Sequence, residues 1–341
     1  MGKHRALYLN HFEEWDTFVD IGLGGNIFSK SWWLRAVSEA LGSDFKVLGV
    51  LENERLVGGV GLNILSLPLI GKVVTCPLLT PYNSVVIIPK KTKNKDKILL
   101  HNEKIMTAIS EKLKKDYESV SVVNHPNIND IRPFQWQGWK EKVRYTYFIN
   151  LEDPDQLWKE FSNNVRTRIR KCYREGVKVE KSNDDRLFFE LFQCVFERKN
   201  MISPVMKDQF HKIFNALNEN VKIYFAKLGK EAISAMAVIM DRKGIAHEWQ
   251  AGTKPEYLKL GVAQFLRWKV IEDLSSQNYR VFDLNGGGQK SIALSKSQFG
   301  GYLIPYFEVN FKSYYIYMLE KGWNSLKRFK LVQLLRRDLW Q

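Results

Sequence analysis

Hydrophobic positions along the chain switch between two periods. Trp33, Ala36, Val37, Ala40 and Leu41 recur at helical spacing, with Ser29 or Ser31 placed to cap them and Gly42 to end the helix. Strands are expected at Phe45 to Leu51 and Arg55 to Leu62, joined by the turn Glu52-Asn53-Glu54. Residues 73–88 read as strand, loop, strand; a helix over about 98–115 then leads to strands at 119–123 and 144–151. The acids and proline of Glu152-Asp153-Pro154-Asp155 mark a boundary and open a helix over 156–161. Helices over 163–175, 184–199 and 207–217 and strands over 221–228, 232–241 and 244–251 come next. A long helix over 257–276, a strand over 280–284, a short helix over 292–297 and a strand over 303–311 complete the pattern. The second half repeats the first in outline. An α/β (α+β) class with two domains, 1–151 and 152–311, is therefore expected.

Beyond residue 311 the pattern becomes aromatic and basic, with Trp323, Leu326 and Phe329 beside Lys327, Arg328, Arg336 and Arg337. Such a segment reads first as a terminal helix docked on the core, and second as a contact for anionic membrane or nucleic acid.

Composition adds a sign to this picture. The formal net charge is +15 over 341 residues; the first 150 carry 20 Lys and Arg against 15 Asp and Glu, and the remainder 32 against 22. The excess sits mainly in the second half and predicts affinity for polyanions, whether nucleic acid, lipid headgroups or phosphorylated small molecules. Cys76, Cys172 and Cys194 are far apart and have no metal-ligand spacing, so no metal site is expected and reduced thiols in the cytoplasm are. No apolar leader and no run of 18 uncharged apolar residues is visible, which argues against export or a membrane span.

Two stretches stand out chemically. Between Tyr279 and Tyr302 an apolar strand ends at Asp283, and Gly286, Gly287 and Gly288 follow, which suits the rim of a site, although glycines alone more often only turn a strand into a helix. In the helix over 163–175, Arg166, Arg170 and Arg174 fall at i, i+4 and i+8, a cationic stripe opposite Val165, Ile169 and Cys172. A charge run is ordinarily a solvated face, but repulsion along so dense an arginine stripe would be relieved by a phosphate-bearing ligand. Trp32, Trp33, Pro81 and Tyr82 are placed at the cleft between the halves; of these Tyr82, on its loop, is the candidate ligand contact.

The order of elements and three local patterns resemble the tandem-GNAT acyltransferases of the FemAB type, which include peptidoglycan bridge aminoacyltransferases and related acetyltransferases. The carriers are Ile27-Phe28-Ser29-Lys30-Ser31-Trp32-Trp33-Leu34, then Asn164-Val165-Arg166-Thr167-Arg168-Ile169-Arg170-Lys171, then Phe282-Asp283-Leu284 through Lys296-Ser297-Gln298-Phe299-Gly300-Gly301. The resemblance implies two GNAT-like domains, each with a mixed, mostly antiparallel sheet flanked by helices, and amide-forming acyl transfer to an amine. The long charged coiled-coil insertion of the staphylococcal bridge-forming type is missing. Leu258-Lys259-Leu260-Gly261-Val262-Ala263 keeps the glycine and alanine of the family's pyrophosphate turn but has leucine in its first position, so Lys259, Gly261, Val262 and Ala263 are the implied donor-binding residues.

Within that frame Glu248 is the expected proton acceptor, Lys296 a neutraliser of phosphate or developing charge, and Asp283 an orienter of the amine. His247 should face away from Glu248 by strand alternation. Asn285, Phe299 and Gly300 join Tyr82, Arg166, Arg170 and Arg174 as substrate-binding candidates. No cofactor is held permanently; acyl-CoA or aminoacyl-tRNA acts as co-substrate, and the acceptor is a small-molecule or lipid-linked amine. A cytoplasmic protein touching the inner face of the membrane through its C-terminal helix is the expected setting. A non-catalytic polyanion-binding protein on the same fold is the reading from another class.

Overall fold

The computed structural model describes residues 4–241 and 243–326. The first half contains β1 (Arg5–Tyr8), α1 (Glu13–Ile21), α2 (Ser31–Leu41), β2 (Asp44–Glu52), β3 (Arg55–Leu67), β4 (Gly71–Thr75), β5 (Val85–Ile87), α3 (Lys95–Asp116), β6 (Ser119–Val123), α4 (Arg132–Trp136) and β7 (Lys140–Asn150). The second contains α5 (Pro154–Glu160), α6 (Asn163–Arg174), β8 (Lys178–Ser182), α7 (Asp185–Glu197), α8 (Lys207–Leu217), β9 (Val221–Leu228), β10 (Glu231–Met240) and β11 (Ile245–Thr253). It continues with α9 (Val262–Ser276), β12 (Val281–Asp283), α10 (Lys290–Lys296), β13 (Tyr302–Lys312) and α11 (Tyr314–Leu326). The side chains of Lys327, Arg328, Phe329, Arg336 and Arg337, proposed above for the basic tail, lie outside the described residues.

The helix expected after Ser29 starts at Ser31, and its cap comes from elsewhere. Asp16 of α1 accepts from both the backbone N–H and the hydroxyl of Ser31, each at 2.7 Å, so a carboxylate from the preceding helix occupies the N-terminus where a local serine was expected. Gly42, with φ of 68°, ends the helix as predicted.

The strands form one mostly antiparallel sheet in the order β1-β2-β3-β4-β6-β13-β7-β12-β11-β10-β9-β8, with β5 beside β3. In each half one parallel pair, β4 with β6 and β11 with β12, is joined through a helical crossover. The last strand does not stay with the second half. β13 inserts between β6 and β7, pairing Val309 with Val122 on one side and with Glu141 on the other. β7, from the first half, pairs in turn with β12.

Apolar packing fixes the two halves against each other. Ile27, Phe28, Trp33 and Tyr82 share a core with Phe188, Phe189 and Phe210 of α7 and α8. Trp249 of β11 stands edge-on to Trp33 at 6.0 Å and donates its indole N–H to the Leu79 carbonyl at 2.7 Å. Trp33 is thus core rather than cleft lining.

Candidate active site at a forked strand pair

The parallel pairing of β11 and β12 lasts three residues, ending at His247 opposite Asp283. β12 stops there, whereas β11 continues to Thr253. The register of β11 against β10 steps from Gln250 to Glu248, leaving Trp249 as the extra residue of a bulge, which bends the strand away. Asn285 and Gly286, at φ of 49° and 80°, turn the segment that follows β12. The result is a fork open at the carboxyl ends of both strands, where α/β sheets hold ligands.

The fork leads to the start of α9. The long helix expected over 257–276 is broken at Gly261, whose φ of 88° ends a 3₁₀ turn, Pro255–Leu260, and starts α9. A Cβ at Gly261 would stand 2.5 Å from Cβ of Arg168, so the glycine also lets α6 approach closely. The Gly261 N–H is given to the Leu258 carbonyl at 3.2 Å, but the next amides of a helix have no intrahelical acceptor, which leaves those of Val262 and Ala263 suited to an anion. Lys259 is exposed beside it.

Glu248 and His247 project to opposite sides of β11, as alternation predicts. On one side the Glu248 carboxylate is gripped by Arg267 in a bidentate pair at 2.7 and 2.8 Å, and both side chains are only 9% exposed. Burial pushes the Glu248 carboxyl up, but the charge and hydrogen bonds of Arg267, with Lys296 beyond, outweigh it and hold the group below its ordinary value. An anion with both oxygens engaged is a poor proton acceptor, so the role expected for Glu248 gives way to a structural one. Lys296 is likewise turned inward. Its ammonium donates to the carbonyls of Leu284, Asn285 and Gly286, which engages its three N–H groups and leaves none for an external phosphate. Burial pulls its pKa down, with Glu248 opposing. Phe299 is fully buried against Phe161 with the Arg267 guanidinium 4.7 Å above its ring, and Gly300 packs on Glu160. Phe299 therefore belongs to the core rather than to a ligand surface, and the half-buried Gly300 serves the turn, at φ of 66°.

On the other side lies a polar cluster drawn from both halves. Asp283, fully buried, accepts from the Tyr82 hydroxyl at 2.8 Å, the Thr146 hydroxyl at 2.6 Å, Nδ1 of His247 at 3.2 Å and the Asn285 backbone N–H at 2.9 Å. Burial raises the carboxyl, yet these donors, His247 foremost, keep it below its usual range. Tyr82 also has no exposure, which excludes it as a direct ligand contact; burial, then the Asp283 charge, push its hydroxyl well above its normal pKa. His125 packs edge-on to Tyr82 with ring centroids 5.1 Å apart.

Burial, reinforced by His247, drives His125 down to about 3. The unfolded imidazole binds a proton near pH 6.5 that the native one refuses, so stability falls as pH drops from about 6.5 towards 3, with a limiting slope of about 1.4 kcal/mol per pH unit. His101, also held down by burial, loses stability in the same window, so urea denaturation between pH 7.5 and 5 should show about 2 kcal/mol more loss in the wild type than in His125→Asn. An unchanged slope in the variant would assign the proton to another group. Asp283 and Glu248, whose pKa values are depressed, lose their contributions only below the unfolded carboxylate range near pH 4, a separate window.

The arginine stripe divides. Arg166 turns back onto the Lys159 carbonyl and the Asn163 side chain. Arg170 and Arg174 are exposed and, with Thr167 and Tyr173, line an open concavity of about 530 Å³. Sequence reasoning missed Arg267, Thr146 and His125. Arg267 was visible in principle, as a lone charge within Phe265-Leu266-Arg267-Trp268 on a helix that is apolar around it.

A family profile described as the acetyltransferase (GNAT) domain matches residues 159–291. No curated protein matches the sequence. Among solved structures, FemX is 13% identical and superposes with a TM-score of 0.71 over 91% of this chain and 97% of that one. A tandem GNAT protein from the clavulanic acid biosynthesis pathway is 11% identical, with a TM-score of 0.51 over 91% and 98%. L-PGS from Bacillus licheniformis is 12% identical, with a TM-score of 0.50 over 85% and 95%. No helix among the described residues is long and apolar enough to cross a membrane. Residues 159–291 match the acetyltransferase (GNAT) domain, and the chain as a whole has the fold of FemX and of the tandem GNAT protein.

Proposed function

We propose that this chain is an N-acyltransferase that takes an acyl-CoA donor and forms an amide on the amine of an amino sugar, amino acid or cell-wall precursor. The observation that carries the reading is the end of the β11–β12 pairing at His247 and Asp283, with the Gly261 turn at the head of α9 following β11 in the chain, all within the stretch that matches the GNAT domain. In this reading the donor's phosphates lie on the Val262 and Ala263 amides, and main-chain N–H groups along β11 past the fork supply hydrogen bonds to the carbonyl oxygen as it gains charge. Asn285 stands in the fork, donating from Nδ2 to the Glu248 carbonyl at 3.0 Å while its Oδ1 has no partner. That oxygen is suited to accept a hydrogen from the incoming amine and orient it. Asp283 holds Asn285 in place through the backbone and acts as a positioning residue.

Ala263→Asp tests the donor site, because an acid in the first turn favours the helix dipole while repelling a phosphate. Acetyl-CoA at about 100 times its Kd should stabilise the wild type by about 2.7 kcal/mol in thermal unfolding, and the variant should keep its apo stability but lose that gain. No gain in the wild type, or an equal one in the variant, overturns the acyl-CoA reading. A second reading, with aminoacyl-tRNA as donor, is favoured by the exposed Arg170 and Arg174 face; reversing both charges should then abolish transfer-RNA binding and leave acetyl-CoA untouched.

A further inference from the structure

A second site lies in the first half, away from the fork. A ligating atom from each of His4, Glu52 and His101 lies within 4.8 Å of the others. The three are far apart in sequence but are brought together by the sheet. β1 pairs Arg5 with Leu51, so His4 falls across from Glu52, and α3 brings in His101, its ring anchored by Nε2 at 3.0 Å from the Ile88 carbonyl. The His4 side chain is 8% exposed, and its Nε2 has no hydrogen-bond partner; Glu52, at 3.8 Å, is too distant to supply one. Leaving a buried nitrogen unpaired costs about 1–3 kcal/mol, so the arrangement calls for an acceptor of its lone pair or proton.

We infer that His4, Glu52 and His101 form a binding site for a divalent transition metal ion. Two imidazoles and one carboxylate suit Zn²⁺ and similar borderline ions, whereas Ca²⁺ and Mg²⁺ prefer all-oxygen shells. Three protein ligands leave a fourth position for solvent or a small anion. Glu52 and His101 also line a cavity of about 520 Å³ whose wall includes Arg55, Lys90 and Lys91. Those cations disfavour a bare dication and favour one that carries an anionic fourth ligand. The ion clips the N-terminal strand to the end of β2 and to α3, so its effect reaches stability as well as ligand binding.

The test uses the full chain without a histidine tag, stripped with chelator and then equilibrated with Zn²⁺. One ion per chain, a raised unfolding temperature, and a visible absorption band when Co²⁺ replaces Zn²⁺ are the expected results. Glu52→Gln and His4→Gln, at strand ends where the fold tolerates change, should each weaken Zn²⁺ at least about tenfold without lowering the apo unfolding temperature. His101→Asn should do the same, at the risk of disturbing the core. Substoichiometric binding, equal affinity in Glu52→Gln and His4→Gln, or affinity that follows Cys76 and Cys194 instead, overturns the site.

Discussion

Replacing Arg267 by Leu is expected to destabilise the protein by about 3–5 kcal/mol, because it leaves the Glu248 carboxylate buried without its partner. Lys296 does not compensate, since its N–H groups already bind the Leu284, Asn285 and Gly286 carbonyls. The double variant Arg267→Leu with Glu248→Leu should recover most of that loss, as apolar replacements of buried pairs generally do. Urea unfolding at unchanged m reads both numbers. The pH dependence supplies an independent check. Without Arg267 the native Glu248 pKa rises above its unfolded value, so the single variant should gain relative stability as pH falls. A cost below about 1 kcal/mol would mean that water or Lys296 already satisfies Glu248, and the pair would lose its structural role.

Asp283→Ala carries the second large effect. It strips the acceptor from the Tyr82 and Thr146 hydroxyls, His247 Nδ1 and the Asn285 backbone N–H in one step, and of these residues Asn285 alone is partly exposed. Each unsatisfied buried donor costs about 1–3 kcal/mol, offset in part because a buried charge is removed, so a net loss of about 3 kcal/mol or more is expected. Tyr82→Phe alone should cost about 1 kcal/mol, and less in the Asp283→Ala background, because the acceptor is then already gone. Additivity in that cycle would place the Tyr82 hydroxyl on some other partner. Because Asp283 also fixes Asn285, acyl transfer by Asp283→Asn should fall in kcat more than in KM if the positioning role holds.

Much of the architecture was legible from periodicity alone. Ser119–Val123, Lys207–Leu217 and Val221–Leu228 appear where their apolar spacing places them, since each buries one face on a layer that demands that period. β8 was missed for the converse reason. Lys-Val-Glu-Lys-Ser has no apolar stripe and is a strand only because β9 offers it an edge. Gly261 was read as lying within a continuous helix because a left-handed glycine and a tolerated helical one look alike in sequence.

Which candidate residues lie near one another was easier to read from the sequence than what each of them touches. Glu248, Asp283, Lys296 and Asn285 do gather around the fork, but the partners that decide their protonation, Arg267, Thr146 and the carbonyls of the glycine loop, are set by tertiary contact. Arg267 lies 19 residues from Glu248, and Thr146 is 137 residues from Asp283, separations that no periodicity encodes. The buried residues Tyr82 and Phe299 were assigned to ligand because aromatic side chains beside loops and glycines look the same in sequence whether they line a cleft or fill a core.

The insertion of β13 between β6 and β7 has a bearing on how the chain is made. When the ribosome has delivered residue 151, both neighbours of that strand exist, but the strand that joins them is still some way off, with the whole GNAT domain to be synthesised in between. The N-terminal half therefore waits with one edge of β6 and both edges of β7 open, and closure is a late, non-local event of the kind that slows folding and invites chaperone capture. Although it begins first, the first half finishes last.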